Sequence, residues 1–257
     1  MNRVRVFRGV VGAAVFVVAV EAVGLSGLID ERFLPRMSTI LVGAAGLIVD
    51  PDFLADATAT VTAWALGLLL TVAVAVPAGL VLGALPAAER AVRPLIEFLR
   101  PIPSVAIIPL AILLFSDNLH LRLAVILYAS SWPVLLNAIY GVKDVDPLAK
   151  ETLRSFGFGP VSVLLRVSLP SAAPFIATGV RVASGIAIIL AVSAELLAGG
   201  AEGIGIFITE AASAGRIDLM LAATLWAGLF GVLSNAVLVA AERRLFRWHR
   251  ARSGNPR

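Results

Sequence analysis

Long apolar runs alternate with short polar segments along the chain, and six of these runs suggest helices inside a membrane. They cover roughly residues 7–29, 60–85, 102–116, 121–141, 174–198 and 219–241. A helix needs about 20 apolar residues to cross a hydrocarbon core of roughly 30 Å. Five runs reach that length; the run at 102–116 is short, and we expect it to be buried among the others or extended by its neighbours. The pattern predicts an all-α, polytopic membrane protein with about six transmembrane helices.

Two N-terminal segments need a choice between interpretations. The first apolar run follows Arg3, Arg5 and Arg8, an order that a cleaved signal peptide also shows. The run continues to Leu28 without a clear small-residue cleavage site, so a membrane anchor is favoured. Residues 36–48 are apolar but too short to span, and they follow a charged stretch. We therefore predict an interfacial helix there, on the outer side.

Basic residues are concentrated in the two termini and in alternate connections between the predicted spans. Of the 21 lysines and arginines, 16 fall in the two termini and in the connections after the second and fourth spans. Cytoplasmic segments carry the excess of Lys and Arg, so these segments and both termini are predicted to be cytoplasmic. Four arginines fall on the outer side, namely Arg32, Arg36, Arg122 and Arg216. The first outer segment is acidic, with Asp30, Glu31, Asp50, Asp52 and Asp56.

Composition supports the membrane interpretation and excludes some chemistry. The chain is 59% hydrophobic and 15% charged, whereas a soluble domain carries about 25% charged residues. It has no cysteine and two histidines, which excludes disulfides and thiolate chemistry. The net charge of +4 follows the membrane topology, so we expect no nucleic-acid partner. The basic, aromatic-containing stretch 243–252 is interpreted as an anchor on anionic lipid.

The polar interruption at 143–170 is the most informative segment. Asp146 and Pro147 have the residue types of an N-cap and a first helical position. Gly157 is predicted to end that helix after about three turns, because glycine adopts the left-handed C-cap without strain. Residues 159–160 then start a second short helix, which we expect Leu169 and Pro170 to end. Two short helices with a glycine between them predict a docking element for a partner.

Polar residues inside the predicted spans are candidates for function, because ionisable groups are expensive there. Glu195 lies near the outer end of the fifth span, and a path or gate role competes evenly with a structural one. Ser130, Trp132 and Asn137 give the fourth span a polar stripe that either lines a path or joins helices, with helix packing slightly favoured.

Glu21, in the first span, is interpreted as an interfacial or inter-helix residue. Pro77 and Pro133 are expected to kink or break their helices, and Pro101, Pro103 and Pro109 to make the third span irregular. The second span carries the small residues that permit close helix contact, namely Gly67, Ala73, Ala75, Ala78 and Gly79.

No catalytic constellation can be assembled from the sequence. His120 is predicted on the outer side and His249 in the basic tail, too far apart for a His pair. The stretch 199–205 is glycine-rich but lacks the lysine of a phosphate-binding loop, and it is predicted on the outer side. We therefore expect no cofactor in this chain and no enzymatic activity.

The interruption and its surroundings resemble the permease subunits of binding-protein-dependent ABC importers, of the type I, sulfonate/nitrate/taurine-type branch. Glu151, Gly157 six residues later and then Leu169-Pro170 have the spacing of the EAA loop of those permeases, although Thr152 and Leu153 stand at the two alanine positions. The stretches 100–115, 132–147, 169–185 and 194–205 are also similar to that branch, and the resemblance covers roughly 35–247. Residues 115–118 depart from its usual glycine-rich motif.

The resemblance implies a division of labour between subunits. ATP and Mg²⁺ would bind to separate cytoplasmic ABC ATPase subunits, and the loop 146–170 would couple them to the spans. The coupling residues would be Leu148, Glu151, Leu153, Phe156, Gly157, Leu169 and Pro170. An extracytoplasmic binding protein would deliver a small solute, and a permease homodimer would enclose the path.

The expected location is the bacterial plasma membrane, the inner membrane. Residues 1–34 would form an N-terminal transmembrane helix and residues 35–257 the permease domain, with a core of about 57–245. The solute stays open among sulfonates, nitrate, taurine, bicarbonate and vitamin precursors. Two alternatives remain: an ion-coupled secondary transporter, which requires inverted halves and more buried charge, and a polytopic membrane enzyme.

Overall fold

The computed structural model describes residues 3–27, 29–31 and 33–246, and every regular element in that part of the chain is helical. The helices are α1 (Arg3–Leu25), α2 (Met37–Leu47), α3 (Pro51–Ala84), α4 (Pro86–Leu99), α5 (Ile108–Leu114), α6 (Asn118–Lys143), α7 (Pro147–Ser155), α8 (Pro160–Val163), α9 (Leu169–Ala198), α10 (Ile204–Ser213) and α11 (Ile217–Leu245). A 3₁₀ turn at Ser104–Ile107 precedes α5, and a π turn at Leu164–Ser168 joins α8 to α9. The predicted all-α class is confirmed.

Five stretches of the described residues are long and apolar enough to cross a membrane. They are Phe7–Leu25, Pro51–Ala84, Asn118–Lys143, Pro160–Ala198 and Ile217–Leu245. A sixth candidate is the pair Pro86–Leu99 and Ser104–Leu114, whose two parts are bent by 85°. The bend falls at Pro101 and Pro103, so the irregularity predicted for the third span is confirmed.

Of the two outcomes expected at Pro77 and Pro133, a kink or a break, the break does not occur. Pro77 lies inside α3 and Pro133 inside α6, and neither breaks its helix. Within a packed membrane bundle, neighbouring helices and local adjustment compensate for the missing backbone donor. The second span also begins earlier than predicted, at Pro51, because the carboxylate of Asp50 accepts hydrogen bonds from the amides of Asp52 (3.0 Å) and Phe53 (3.1 Å) and caps α3.

One compact unit comprises residues up to 59 together with 200–229. Its core gathers apolar side chains of α2, α10 and the first parts of α3 and α11, and Phe53 packs edge-on against Phe207 with ring centroids 5.2 Å apart. Trp226 donates from Nε1 to the carbonyl of Ala44 at 2.8 Å. Glu21 accepts from the amide and the hydroxyl of Ser38, at 3.0 and 2.9 Å, and so joins α1 to α2 as an inter-helix residue.

The second unit comprises residues 60–199 and those from 230 onward, and α6 packed against α9 forms its centre. Small residues on α3 allow close approach to α6: a Cβ at Gly67 would lie 2.6 Å from a methyl group of Ile126, and one at Gly79 2.5 Å from the Cβ of Ala138. Without an apolar driving force between helices in lipid, such close contact is what holds spans together. The contact role predicted for these two glycines is confirmed.

The basic C-terminal stretch lies outside the described residues from Arg247 onward, including Trp248 and His249. The lipid-anchor role assigned to it stays a prediction. The domain boundary predicted between residues 34 and 35 likewise stays a prediction.

Candidate functional site

Residues 146–170, here called the elbow, begin with a capped helix. The carboxylate of Asp146 accepts a hydrogen bond from the amide of Leu148 at 2.9 Å, and Pro147 occupies the first helical position of α7. Proline fits there because the first amides of a helix have no partner within it. The predicted start of the helix is confirmed.

The end of α7 is a Schellman turn built around Gly157. The amide of Gly157 donates to the carbonyl of Arg154 at 2.9 Å, and the amide of Phe158 donates to that of Leu153 at 3.1 Å. Gly157 has φ +82°, and a Cβ at this position would meet no atom within 4 Å. Glycine is therefore required for its backbone conformation and not for space. The predicted glycine C-cap is confirmed.

The elbow presents apolar side chains to its surroundings. Leu148 is 67% exposed and Phe156 78% exposed, whereas Leu153 is half-buried. Glu151 is exposed, and its carbonyl accepts a hydrogen bond from the hydroxyl of Ser155. Residues 146–159 lie outside every candidate span of the described residues. Exposed large apolar groups of this kind mark an interaction surface.

Two contacts hold α7 and the turn after it in place. Lys150 donates from Nζ to the carbonyl of Val142, near the end of α6, at 2.9 Å. Burial, and secondarily the nearby charge of Arg154, lower the pKa of Lys150. Within the elbow, the guanidinium of Arg166 lies 4.9 Å from the ring centroid of Phe158. The first contact attaches α7 to α6, and the second attaches the turn after α7 to the helix that leads into α9.

The expected end of the second short helix is wrong. Leu169 and Pro170 do not terminate it, because α8 passes through the π turn directly into α9. The amide of Leu169 donates to the carbonyl of Leu164, five residues back, which widens the helix immediately before Pro170. Such a widened turn accommodates a residue without an amide hydrogen, so the chain stays helical from Pro160 to Ala198.

The polar stripe predicted on the fourth span lies on α6, and its side chains make contacts both within α6 and with α9. Ser130 donates to the carbonyl of Ala183 on α9 at 3.2 Å, and Asn137 donates to the carbonyl of Pro133, one turn back, at 2.8 Å. The ring of Trp132 packs edge-on against Tyr128, and its indole nitrogen is buried without a hydrogen-bond partner among the described residues. The Ser130 contact joins α6 to α9 and favours packing, the Asn137 hydrogen bond stays within α6, and the indole N–H of Trp132 has no partner among the described residues.

Glu195 belongs to a buried ionic cluster. Its carboxylate is 2.9 Å from Nη1 of Arg122 on α6 and accepts a hydrogen bond from the hydroxyl of Thr60 on α3, also at 2.9 Å. Glu195 is 2% exposed and Arg122 is 9% exposed. Three helices of the unit therefore meet at one ion pair, which we call the Glu195 cluster. This geometry supports the structural alternative for Glu195, and a role in the path stays untested.

Arg122 and Thr60 were missed from the sequence. Arg122 falls at the start of a predicted span and was assigned to the outer polar segment, yet its guanidinium is buried. The available signal was an arginine at the start of the fourth predicted span and a glutamate within the fifth, each of which needs a partner in a membrane. Charges buried in lipid-facing proteins are expected to pair with one another.

The described residues offer little for chemistry on a substrate. His120 lies 2.7 Å from the carboxylate of Asp117, whose pKa is lowered by hydrogen bonds from the backbone and ring of His120. No three His, Asp or Glu side chains among the described residues are grouped to hold a metal ion. The described residues thus combine five candidate spans, or six if the bent pair is counted as one, with an elbow that exposes large apolar side chains.

Comparison with known proteins identifies the family. Residues 72–247 match the family described as the binding-protein-dependent transport system inner membrane component, and the chain belongs to that family. A taurine transport system permease protein of Escherichia coli is 32% identical over 228 residues, covering 86% of this chain and 82% of the relative. A nitrate import permease protein of Leptolyngbya laminosa is 29% identical over 201 residues, covering 75% and 72%.

A solved structure agrees on the fold. The chain resembles, with a TM-score of 0.61 and 16% identity, a chain from inward-facing conformations of the MetNI methionine ABC transporter, covering 84% of this protein and 99% of that chain. The protein is thus a permease component of a binding-protein-dependent ABC importer and is not an enzyme. Membership implies an ATPase and a substrate-binding protein as partners in general, and the alternative of a secondary transporter is not favoured.

Proposed function

We propose that the elbow docks on cytoplasmic ABC ATPase subunits and passes their motion to the spans. The observation that carries this proposal is the exposure of Leu148 and Phe156 outside every candidate span. An amphipathic helix with such a face binds by laying it into an apolar groove. Glu151, exposed on the same helix, would pair with or cap a polar group of the ATPase.

Within this proposal, Gly157 gives the turn its shape, and Leu153 supports α7 from its half-buried side. Leu169 and Pro170 act at the other end of the elbow, where the π turn continues into α9. ATP and Mg²⁺ would bind to the ATPase, so no cofactor is assigned to this chain.

The wider assembly is inferred from the family and from the charge pattern. We infer a permease homodimer in the bacterial inner membrane, with both termini and the elbow in the cytoplasm, where 16 of the 21 basic residues fall. An extracytoplasmic binding protein would deliver a small solute to the opposite face. Relatives named for taurine, a zwitterionic sulfonate, and for nitrate make small solutes with an oxyanion group the first to test.

The path residues keep their candidate status within this proposal. Trp132, with an indole N–H free of protein partners among the described residues, is the strongest of the four. Ser130, Asn137 and Glu195 are used in helix contacts, so a path role would require them to exchange those contacts during transport.

A matched pair of glycine substitutions tests the coupling role of the elbow. Gly157→Val forces a side chain into φ +82°, whereas Gly159→Val occurs at φ −71°, where any residue fits, and neither Cβ meets an atom within 4 Å. The left-handed conformation costs a residue with a side chain roughly 1–2 kcal/mol, so Gly157→Val should reshape the elbow while the spans fold normally.

The readouts are the amount of permease in the membrane, solute uptake by cells, and co-purification of the ATPase. We expect Gly157→Val to reach the membrane at the wild-type level, to abolish uptake and to lose the ATPase. Gly159→Val should behave like wild type. Uptake that survives in Gly157→Val, with the ATPase still bound, would exclude the coupling role.

A further inference from the structure

A charged cavity lies between α4 and the C-terminal half of α6, within the second unit. It has a volume of about 450 Å³ and is lined on one side by Glu89, Arg93 and Glu97 of α4 and by Arg100, the C-cap residue of that helix, all on one helical face. Leu136, Ile139, Tyr140 and Lys143 of α6 line the other side. The cavity therefore combines an apolar wall with five charged side chains.

Four of these charges form two pairs. Lys143 lies 2.9 Å from the carboxylate of Glu89, and Arg93 lies 2.8 Å from that of Glu97. The guanidinium of Arg100 has no ion-pair partner among the described residues. The cavity thus carries one positive charge in excess, which attracts an anion.

The backbone that presents Arg100 is fixed. The hydroxyl of Tyr128 on α6 donates to the carbonyl of Leu99 at 2.8 Å, immediately before Arg100. Tyr128 is itself held edge-on against Trp132, with ring centroids 5.6 Å apart. The backbone next to Arg100, which lines the cavity, is therefore held in place by the hydrogen bond between Tyr128 and Leu99.

The other face of α4 indicates the depth of the cavity in the membrane. Leu95 and Phe98 lie on the face opposite to the charged residues, and both are exposed. A helix with one charged face and one exposed apolar face lies at the boundary between headgroups and acyl chains. The cavity on its charged side then sits at headgroup level, where anionic phospholipid is the most concentrated anion.

We propose that this cavity binds the phosphate of an anionic phospholipid headgroup, with Arg100 as its principal contact. Basic pockets between transmembrane helices on the cytoplasmic side are suited to such headgroups. Tyr140, more than half exposed at the rim, supplies a hydroxyl for a further hydrogen bond. The site and the elbow both contact the end of α6. Lys143 lines the cavity, and the carbonyl of the adjacent Val142 accepts a hydrogen bond from Lys150 of the elbow.

The test is native mass spectrometry of the full-length permease purified in detergent and incubated with phosphatidylglycerol or with phosphatidylcholine. Arg100→Gln removes the unpaired charge. Arg90→Gln is the matched control, since Arg90 is an exposed arginine of the same helix that does not line the cavity and donates from Nε to the carbonyl of Pro86. A parallel arm measures binding of inorganic phosphate by each protein.

Wild type and Arg90→Gln should retain phosphatidylglycerol in preference to phosphatidylcholine, and Arg100→Gln should retain about fivefold less, as expected for one basic residue at a lipid surface. Phosphate binding that depends on Arg100, without retention of phosphatidylglycerol, would overturn the lipid assignment in favour of a soluble anion. Equal lipid retention by Arg100→Gln and Arg90→Gln would overturn the site itself. None of these outcomes depends on the ATPase.

Discussion

Removal of Glu195 should destabilise the permease far more than removal of an exposed carboxylate. Glu195→Ala leaves the guanidinium of Arg122 buried, 9% exposed, without its partner at 2.9 Å. It also removes a hydrogen-bond acceptor from the hydroxyl of Thr60, which is fully buried. Breaking a buried ion pair by removing one partner costs about 3–5 kcal/mol. For a chain of this size that corresponds to a fall of about 6–20 °C in Tm.

The exposed pair Arg93 and Glu97 provides the control. Its two atoms are 2.8 Å apart, but both side chains are more than 60% exposed. Solvent screens pairs of this kind and leaves them little net contribution to stability, so Glu97→Ala should lower Tm far less than Glu195→Ala does.

The assay is thermal unfolding of the purified permease in detergent, followed by circular dichroism. A third variant, Arg122→Met with Glu195→Leu, removes both charges and replaces them with apolar groups. It should recover most of the loss, because the penalty comes from an uncompensated buried charge and not from the absence of the pair. A Tm for Glu195→Ala no lower than that for Glu97→Ala would refute the structural role assigned to the Glu195 cluster.

Two further predictions concern close packing and titration. Gly79→Ala should destabilise the protein by about 1–3 kcal/mol and lower Tm, since its Cβ would lie 2.5 Å from the Cβ of Ala138. Gly185→Ala on α9, where a Cβ meets no atom within 4 Å, should leave Tm unchanged or raise it, and equal effects of the two would contradict the close contact. Because the folded pKa of Lys150 lies below its ordinary value of 10.5, the unfolded chain binds more protons in that interval, and stability should rise as pH increases toward 10.5. The side chain of Lys150→Met cannot titrate, so the stability of this variant should rise less between about pH 8 and about pH 10 than that of the wild type, as measured by unfolding midpoints. An identical pH dependence of the two proteins would show that Lys150 is not buried as described.

The spans and the elbow could be predicted because their signals are local. Apolar runs of spanning length, Asp146 with Pro147, and Gly157 each act on the backbone within a few residues. The π turn could not be predicted, because Pro170 usually ends a helix and only the hydrogen bond from Leu169 to Leu164 shows how the chain continues.

The Glu195 cluster could be predicted only in outline. Arg122 and Glu195 are separated by 73 positions, and Thr60 and Glu195 by 135. No local pattern specifies which of several parallel or antiparallel spans becomes a neighbour. The charges could be identified as costly and in need of partners, but the choice of partner is decided by the tertiary packing of α3, α6 and α9.

A continuous helix from Pro160 to Ala198 connects the elbow to the Glu195 cluster. Its 39 residues form a rod about 58 Å long at 1.5 Å per residue. Phe158, in contact with the guanidinium of Arg166, lies just before the start of this helix, and Glu195 lies near its other end. If the elbow moves with an ATPase as proposed, that motion would reach the ion pair with Arg122 along one continuous helix, without an intervening loop.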